Sequence, residues 1–459
     1  MNRPVDKRII LLLTALPSFL VPYTVSSIAV ALPAIGEEFS LDAVSLGWIT
    51  SAYVLTAAVC ILPFGKLSDI YGRKRFFIIG NLIFTAGCLL AVVSWSGSAL
   101  IAARVIQGLG GSMVFSTSIA VLTSVFPPGE RGRAIGIVTG TVYAGLSIGP
   151  FLGGILTQHF GWPSIFLVNI PIGIIVIIAT LVLIPGEWAE PGARTFDYPG
   201  AVLYGAMLIG ILYGLTLLPS STGFLLMGAG FVLLAGFVRW EQRHPAPMLD
   251  LTLFHKNPVF LFSNVAAMIN YAVVFAVSFL LSLYLQYIRG FDPQTAGIIL
   301  VSMPVVQMVV APLAGNLSDR IDAQVIATAG MACTTAGLGV MVLLSPSTSL
   351  LLILAGMILL GLGYGLFSSP NTNAIMSAVR VQYLGIASAM VSTMRSIGQM
   401  LSMAIAMLVF SVIMGTVEIS PEVYPELLQS ITVAFTIFFF LALFGIWTSY
   451  ARGKSVTSG

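Results

Sequence analysis

Two arginines, Arg104 and Arg395, lie inside long apolar stretches of the chain. An ionised side chain at the depth of a hydrocarbon layer is costly, so such residues face protein or water and mark binding or transport sites. On helical spacing Arg104 shares a face with Gln107, and the face of Arg395 continues over Ser388, Ser392, Gln399 and Ser402. Such faces can hydrogen-bond a polar or anionic small molecule.

Residues with the usual catalytic or metal-binding chemistry are scarce and scattered. The chain has three cysteines and three histidines, which are Cys60, Cys88, Cys333, His159, His244 and His255. They show no metal-ligand spacing, and no glycine-rich phosphate loop precedes a Lys-Ser or Lys-Thr pair. We therefore expect no enzyme, no cofactor and no metal site.

The segment GKLSDIYGRKR, Gly65 to Arg75, holds five charged residues within eleven, although only 8% of the chain is charged. In soluble domains about a quarter of the residues are charged, whereas 58% of the residues of this chain are hydrophobic. The composition therefore predicts a membrane protein whose charges are confined to loops.

Apolar runs of bilayer-spanning length, about 17 to 25 residues, recur along the whole chain. They predict an all-α polytopic membrane protein with fourteen spans. The predicted spans are 9–33, 46–68, 76–94, 98–123, 133–158, 162–184, 199–218, 223–240, 257–283, 293–316, 324–344, 348–370, 384–414 and 427–450.

The distribution of Lys and Arg predicts the orientation. With a cytoplasmic N-terminus, seventeen of the twenty basic residues fall on the inner side and only Arg289 falls outside. Cytoplasmic loops carry this excess, so we expect a multi-pass plasma-membrane protein with both termini cytoplasmic. The net charge of +3 reflects this loop bias and gives no support for nucleic-acid binding; the lipid bilayer is the expected surrounding.

Two pairs of similar segments indicate an internal repeat. GKLSDIY at Gly65 resembles GNLSDRI at Gly315, and GLGGSMVFSTS at Gly108 resembles GLGYGLFSSPN at Gly361. Parallel repeats of this kind build transporters with a midplane substrate site. We predict two six-helix halves related by a pseudo-two-fold axis, at 1–190 and 246–452, with a two-helix insertion at 191–245 and a disordered tail at 453–459. A short surface helix is expected between 239 and 258.

These motifs resemble the Major Facilitator Superfamily and, within it, the fourteen-span drug:proton antiporters. The segment Gly65–Arg75 is similar to the superfamily loop motif G-x-L-x-D-R-x-G-R-[KR], with Ile70 in place of the usual Arg, and GLSIGPFLGG, residues 145–154, matches the exporter motif G-x-x-x-G-P-x-x-G-G. The resemblance implies export by alternating access and a cytoplasmic gate. The residues of that gate are Gly65, Asp69, Gly72, Arg73, Lys74, Glu130 and Asp319, and those of the exporter helix motif are Gly145, Gly149, Pro150, Gly153 and Gly154. Arg73 is expected to pair with Glu130 when the transporter faces outward.

The same resemblance places the substrate cavity between spans one, four, nine and twelve, with help from spans five and thirteen. Polar side chains on helical spacing in these spans give the expected lining. The expected residues are Tyr23, Thr24, Ser27, Arg104, Gln107, Asn264, Tyr271, Tyr364, Asn371, Arg395 and Gln399. Phe115 and other aromatic residues would add an adaptable apolar wall.

The sequence thus predicts a secondary transporter that exports a small amphipathic molecule. Dedicated export of a lipid, siderophore or metabolite is the alternative within transport, and a non-transporting membrane sensor is the alternative from another class. Proton antiport is implied by the resemblance, yet all seventeen acids fall in loops or at span ends. The family acid of span one is replaced by Thr24. The candidate proton carriers are therefore Asp69, Asp319, His159 or an acidic substrate.

Overall fold

The structure, a computed structural model, describes residues 7–184, 186–187, 196–244, 248–249, 257–318, 320–379, 384–415 and 417–453. In this part of the chain the fold is helical, and Asp42 and Glu418 form one isolated bridge between two loops. Fourteen described helices are long and apolar enough to cross a membrane, which confirms the predicted number of spans. The helices are α1 (Lys7–Phe39), α2 (Ala43–Tyr71), α3 (Arg73–Val92), α4 (Gly97–Val125), α5 (Pro128–Phe160), α6 (Ser164–Leu183), α7 (Tyr198–Thr216), α8 (Ser221–Glu241), α9 (Pro258–Ile288), α10 (Pro293–Ser318), α11 (Ala323–Val342), α12 (Leu350–Ser377), α13 (Leu384–Ile413) and α14 (Tyr424–Ala451).

Corresponding helices of α1–α6 and α9–α14 begin with the same capping residues. Asp42 accepts a hydrogen bond from Ser45 N (2.6 Å) to cap α2, and Asp292 accepts one from Thr295 N (2.9 Å) to cap α10. Ser96 and Ser349 cap α4 and α12 in the same way. Such side chains satisfy amide groups that a helix start leaves free. We call the end of the bundle with these four caps the far end, and the end with the Gly65–Arg75 loop the near end.

Helix pairings also repeat. Helix α1 packs on α5 as α9 packs on α13, and α4 packs on α2 and α3 as α12 packs on α10 and α11. Glycines at related positions permit these approaches: a Cβ on Gly145 would collide with Phe19 O, and one on Gly398 would collide with Met268 O. Close helix contact in membranes depends on such small residues. The structure therefore contains two similar six-helix units.

The two halves meet along α2 with α13 and along α5 with α10. At the far end a Cβ on Gly154 would lie 2.6 Å from Pro293 O, and the Gln286 amide donates to Val30 O at 2.9 Å. His159 Nε2 lies 3.2 Å from Gln294 Oε1 across the same seam. The far end is thus closed by direct contact between the halves.

Helices α7 and α8 pair with each other, and α7 lies against α2 and α13. The Tyr204 hydroxyl donates to Ala58 O at 3.1 Å, and the rings of Trp48 and Tyr213 meet edge to face with centroids 5.2 Å apart. Residues Ile209–Tyr213 form a π-helical turn, and a side cavity of about 340 Å³ lies between α2, α4 and α7. The expected surface helix between 239 and 258 and the tail from 454 lie largely outside the described residues.

A candidate substrate site between the halves

The centre of the bundle holds a cluster of aromatic side chains around Arg395. The Arg395 guanidinium lies over the ring of Phe115, 5.5 Å from its centroid. Tyr271 and Tyr364 meet edge to face with centroids 5.7 Å apart, and Tyr143 has Tyr271 and Arg395 as electrostatic neighbours. We call these five residues the central cluster. Because Phe115 and Tyr143 come from α4 and α5 and the others from α9, α12 and α13, both halves contribute.

Local backbone contacts place the cluster. Arg395 precedes Gly398 by one helical turn, and a Cβ on Gly398 would lie 2.8 Å from Tyr271 Cβ. Tyr143 precedes Gly145, which is held against the carbonyl of Phe19 on α1. The glycines bring α13 onto α9 and α5 onto α1, so the neighbouring arginine and tyrosine point into the same region near the middle of their helices.

Arg395 is partly exposed and lacks a carboxylate partner within the described part of the chain. The described acidic residues lie at helix ends or in loops, and the contact with Phe115 stabilises the cation without neutralising it. The buried Ser368 hydroxyl lies within hydrogen-bonding reach of Tyr143. The cluster therefore combines a positive charge, ring faces and neutral hydroxyl groups.

The structure contradicts the prediction that Arg104 and Gln107 face a cavity between the halves. Arg104 is 0% exposed, donates to Ile49 O at 3.0 Å and to Gln107 Oε1, and lies 4.7 Å from the centroid of the Tyr53 ring. Gln107 in turn approaches Cys88 Sγ at 3.3 Å. This face of α4 packs on α2 and α3, inside the N-terminal half. Helical spacing identifies a polar face but not the neighbour that covers it.

Two other expected cavity residues also face their own half. Thr24 donates to Leu20 O at 2.8 Å and to Asn169 Oδ1 at 3.2 Å, so it points at α6. Asn371 lies near the near end, donates to Ser263 O and accepts from Arg452 Nη1 at 2.7 Å. Their hydrogen bonds are satisfied by neighbouring helices, which is the ordinary use of polar residues in membrane bundles.

The remaining cavity predictions fall on faces that are compatible with the site. Tyr271, Tyr364 and Arg395 belong to the central cluster, and Gln399 is partly exposed one turn beyond Arg395. The other three residues are buried, with Tyr23 and Ser27 within hydrogen-bonding reach of each other, and their place in the cavity stays a prediction; they are Tyr23, Ser27 and Asn264.

The near-end loop is held by its own charges. Arg73 pairs with Asp69 at 2.7 Å and donates to Ser124 Oγ on α4 at 2.7 Å. Gly72 has φ 115°, a conformation that favours glycine, and permits the turn between α2 and α3. Glu187 accepts from Lys74 N at 2.7 Å and so caps α3.

The expected contact between Arg73 and Glu130 is not formed here. Glu130 instead pairs with Lys7 at 2.8 Å. The pairing was expected for the outward-facing state, whereas the far end of this structure is closed, so it stays a prediction. A Cβ on Gly65 would lie 3.8 Å from Ser116 Cβ, and Asp319 lies outside the described residues.

The glycines of the exporter helix motif contact two helices. Gly145 and Gly149 face α1, the latter at the Ser26 side chain, and Gly153 faces Ser27. Gly154 faces Pro293 on α10, and the carbonyl of Pro150 approaches Gly297. The predicted flat face of Gly145, Gly149 and Gly153 is therefore present against α1, and the last residue of the motif, Gly154, belongs to the seam between the halves.

Sequence reasoning missed Tyr143 of the central cluster. Its position two residues before the glycine motif was the available signal, since that motif fixes the helix face.

The sequence also gave no sign of a role for Asp197 and Glu241 at the near end of α7 and α8. Asp197 accepts from Trp240 Nε1 at 3.0 Å, and Glu241 Oε2 accepts from Leu249 N at 2.8 Å, which ties the inserted pair to the segment that follows it.

Comparison with known proteins identifies the family of the chain. The family description "Major Facilitator Superfamily" matches residues 14–403. The riboflavin transporter RibZ of Clostridioides difficile is 34% identical over 87% of this chain and 87% of its own length. The multidrug resistance protein Stp of Mycobacterium tuberculosis is 34% identical over 88% of this chain and 76% of its own.

Two more distant comparisons agree. The tetracenomycin C resistance and export protein of Streptomyces glaucescens is 29% identical over 86% of this chain and 74% of its own. A bacterial homologue of the human lysosomal transporter Spinster, solved in an inward-facing and unoccupied conformation, shares the fold with a TM-score of 0.70, 17% identity and 98% coverage of each chain. These relatives are transporters and not enzymes. The chain therefore belongs to the Major Facilitator Superfamily.

Proposed function

We propose that the protein exports small amphipathic molecules from the cytoplasm by alternating access, with the central cluster as the substrate site. The observation that carries the proposal is the contact between Arg395 of one half and Phe115 of the other, near the middle of the membrane-spanning helices. A site shared by both halves changes its exposure when the halves rock, as in transporters built from repeats.

Because the far end is closed in this structure, the movement that releases the substrate must open the far end and close the near end. To open the far end, the contacts of Gly154 with α10 and of Gln286 with Val30 must separate. Closure of the near end would then bring the Gly65–Arg75 loop towards the opposite half. Within the N-terminal half, the expected Arg73–Glu130 pair would replace the Lys7–Glu130 pair. Export in this direction is supported by the exporter helix motif and by the resistance and export proteins among the relatives.

The orientation and the coupling ion are part of the same proposal. The Lys and Arg bias supports a plasma-membrane protein with both termini in the cytoplasm, and the family resemblance supports proton antiport. His159, at the seam with Gln294, and Asp69, paired with Arg73, are the described candidates for the proton carrier. We also propose the limits 1–190, 191–245 and 246–452 for the two halves and the insertion.

Drug susceptibility in an efflux-deficient host tests the proposal. We expect the wild-type chain to raise the inhibitory concentration of several amphipathic compounds, and Arg395→Ala to change that range at equal protein level. Arg239→Ala, at an exposed position of α8, is the control. Unchanged susceptibility for every compound, with protein in the membrane, would overturn multidrug export.

A second candidate is a dedicated metabolite exporter. It is favoured by the likeness to a riboflavin transporter over 87% of the chain. Loss of one secreted metabolite in a deletion strain, together with unchanged drug susceptibility on expression, would support this candidate over multidrug export.

A further inference from the structure

The central cluster carries a permanent positive charge. A guanidinium stays protonated at any physiological pH, and Arg395 has no carboxylate partner within the described part of the chain. At the depth of the membrane a lone cation is costly unless water, a dipole or an anion approaches it. The charge therefore favours a bound anion and disfavours a bound cation.

The walls of the cluster are ring faces from both halves. Phe115 lies under the guanidinium, and Tyr271 and Tyr364 form an edge-to-face pair beside it. Tyr143 closes the group from α5. Flat aromatic molecules gain most from such surroundings, because offset stacking and edge contacts add to the burial of apolar area.

We propose that the central cluster binds planar aromatic molecules that carry a negative charge, with Arg395 as the residue that recognises the charge. This inference rests on the proposed function and specifies its substrate class. The contact from Phe115 holds the guanidinium at the boundary between the halves, so an anion there touches both units at once. Tyr143 and Ser368 supply neutral hydroxyl groups beside it.

The charge of the substrate has a consequence for the driving force. An inside-negative membrane potential drives an anion out of the cell. At 100 mV it sustains an outside-to-inside concentration ratio of about 50 for an anion with one charge. Entry of a proton moves charge in the same favourable direction. Export of an anion therefore gains from the potential without any carboxylate at mid-membrane.

Two xanthene dyes of opposite charge test the inference. Fluorescein at pH 8 is an anion, and rhodamine 123 is a cation of similar shape. We expect the purified protein in nanodiscs to bind fluorescein at least tenfold more tightly than rhodamine 123. Arg395→Gln should weaken fluorescein binding about tenfold and leave rhodamine 123 within twofold, whereas Arg395→Lys should retain most of the preference. Arg239→Gln is the matched control for removal of an arginine.

Transport in proteoliposomes supplies the second measurement. Fluorescein flux should increase when a potassium gradient with valinomycin makes the destination side positive. Equal binding of the two dyes, or a preference for fluorescein that Arg395→Gln leaves intact, would overturn the inference. Transport of rhodamine 123 without transport of fluorescein would overturn it and leave the proposed export standing. Movement of neither dye by wild-type protein would count against both.

Discussion

The two halves each carry one arginine inside a membrane-spanning helix, and the two arginines have different surroundings. Arg104 is fully buried in the N-terminal half, where a carbonyl, an amide and the Tyr53 ring surround it. Arg395 is partly exposed and reaches the ring of Phe115 in the opposite half. Tyr53 has both arginines as electrostatic neighbours and so lies between them. The comparison indicates that the first charge stabilises one half, whereas the second serves the space between the halves.

The largest effect that separates these roles is expected at Arg104. Arg104→Gln would leave Ile49 O and Gln107 Oε1 without their donor in a buried site, at a cost of roughly 2–4 kcal/mol. Arg395→Gln should leave stability almost unchanged. Thermal unfolding of both variants in detergent, followed by size-exclusion fluorescence, measures the difference. Equal loss of stability in the two variants would remove the distinction.

A second prediction concerns the seam between α5 and α10. Gly154→Val would collide with the backbone of Pro293 and Gln294, so the far end should remain open and transport should fall at least tenfold. Gly140→Val is the control on the same helix, since nothing lies within 4 Å of a Cβ there. Accessibility of a cysteine introduced at Gln294 reports the opening. A protected cysteine in Gly154→Val would contradict the role of this seam.

A third prediction compares the near-end charges. Arg73→Glu should impair transport severalfold without abolishing membrane insertion, because it reverses the contacts with Asp69 and Ser124. Restoration of transport by a second change, Glu130→Arg, would support their pairing in the outward-facing state. Normal transport by the Arg73→Glu single variant would show that the loop charge is only a topology signal.

The smallest expected effect is at the repeated helix caps. Asp42→Ala and Asp292→Ala should each cost about 0.5–2 kcal/mol of stability, since each removes the cap of the second helix of a half. Hydrogen bonds from the Thr295 amide and hydroxyl hold the pKa of Asp292 below its ordinary value. The stabilisation by Asp292 is therefore complete above its unfolded pKa and is lost as the pH falls through the lower folded pKa. Asp292→Ala should remove that acid dependence; an unchanged profile would contradict it.

Sequence reasoning recovered what depends on length and local pattern. Apolar runs predicted fourteen spans, and the four-residue spacing of Gly145, Gly149 and Gly153 predicted a helix face for close packing, which the structure places on α1. Arg104, Thr24 and Asn371 were wrong as cavity residues because polar spacing shows a face but not its neighbour. Tyr143 was missed because only the tertiary structure brings it near Tyr271 and Arg395.

The most direct test of the central claim is a pair of distances measured by electron spin resonance, with and without bound dye. In a background without the native cysteines, spin labels at Trp95 and Ser347 report the far end, and labels at Arg133 and Ser377 report the near end; all four positions are exposed. The account predicts that fluorescein, at a concentration just sufficient to saturate wild-type protein, lengthens the far-end distance and shortens the near-end distance. Arg395→Gln should reduce both shifts at the same dye concentration. Distances that do not change while wild-type protein transports the dye would contradict alternating access around the central cluster.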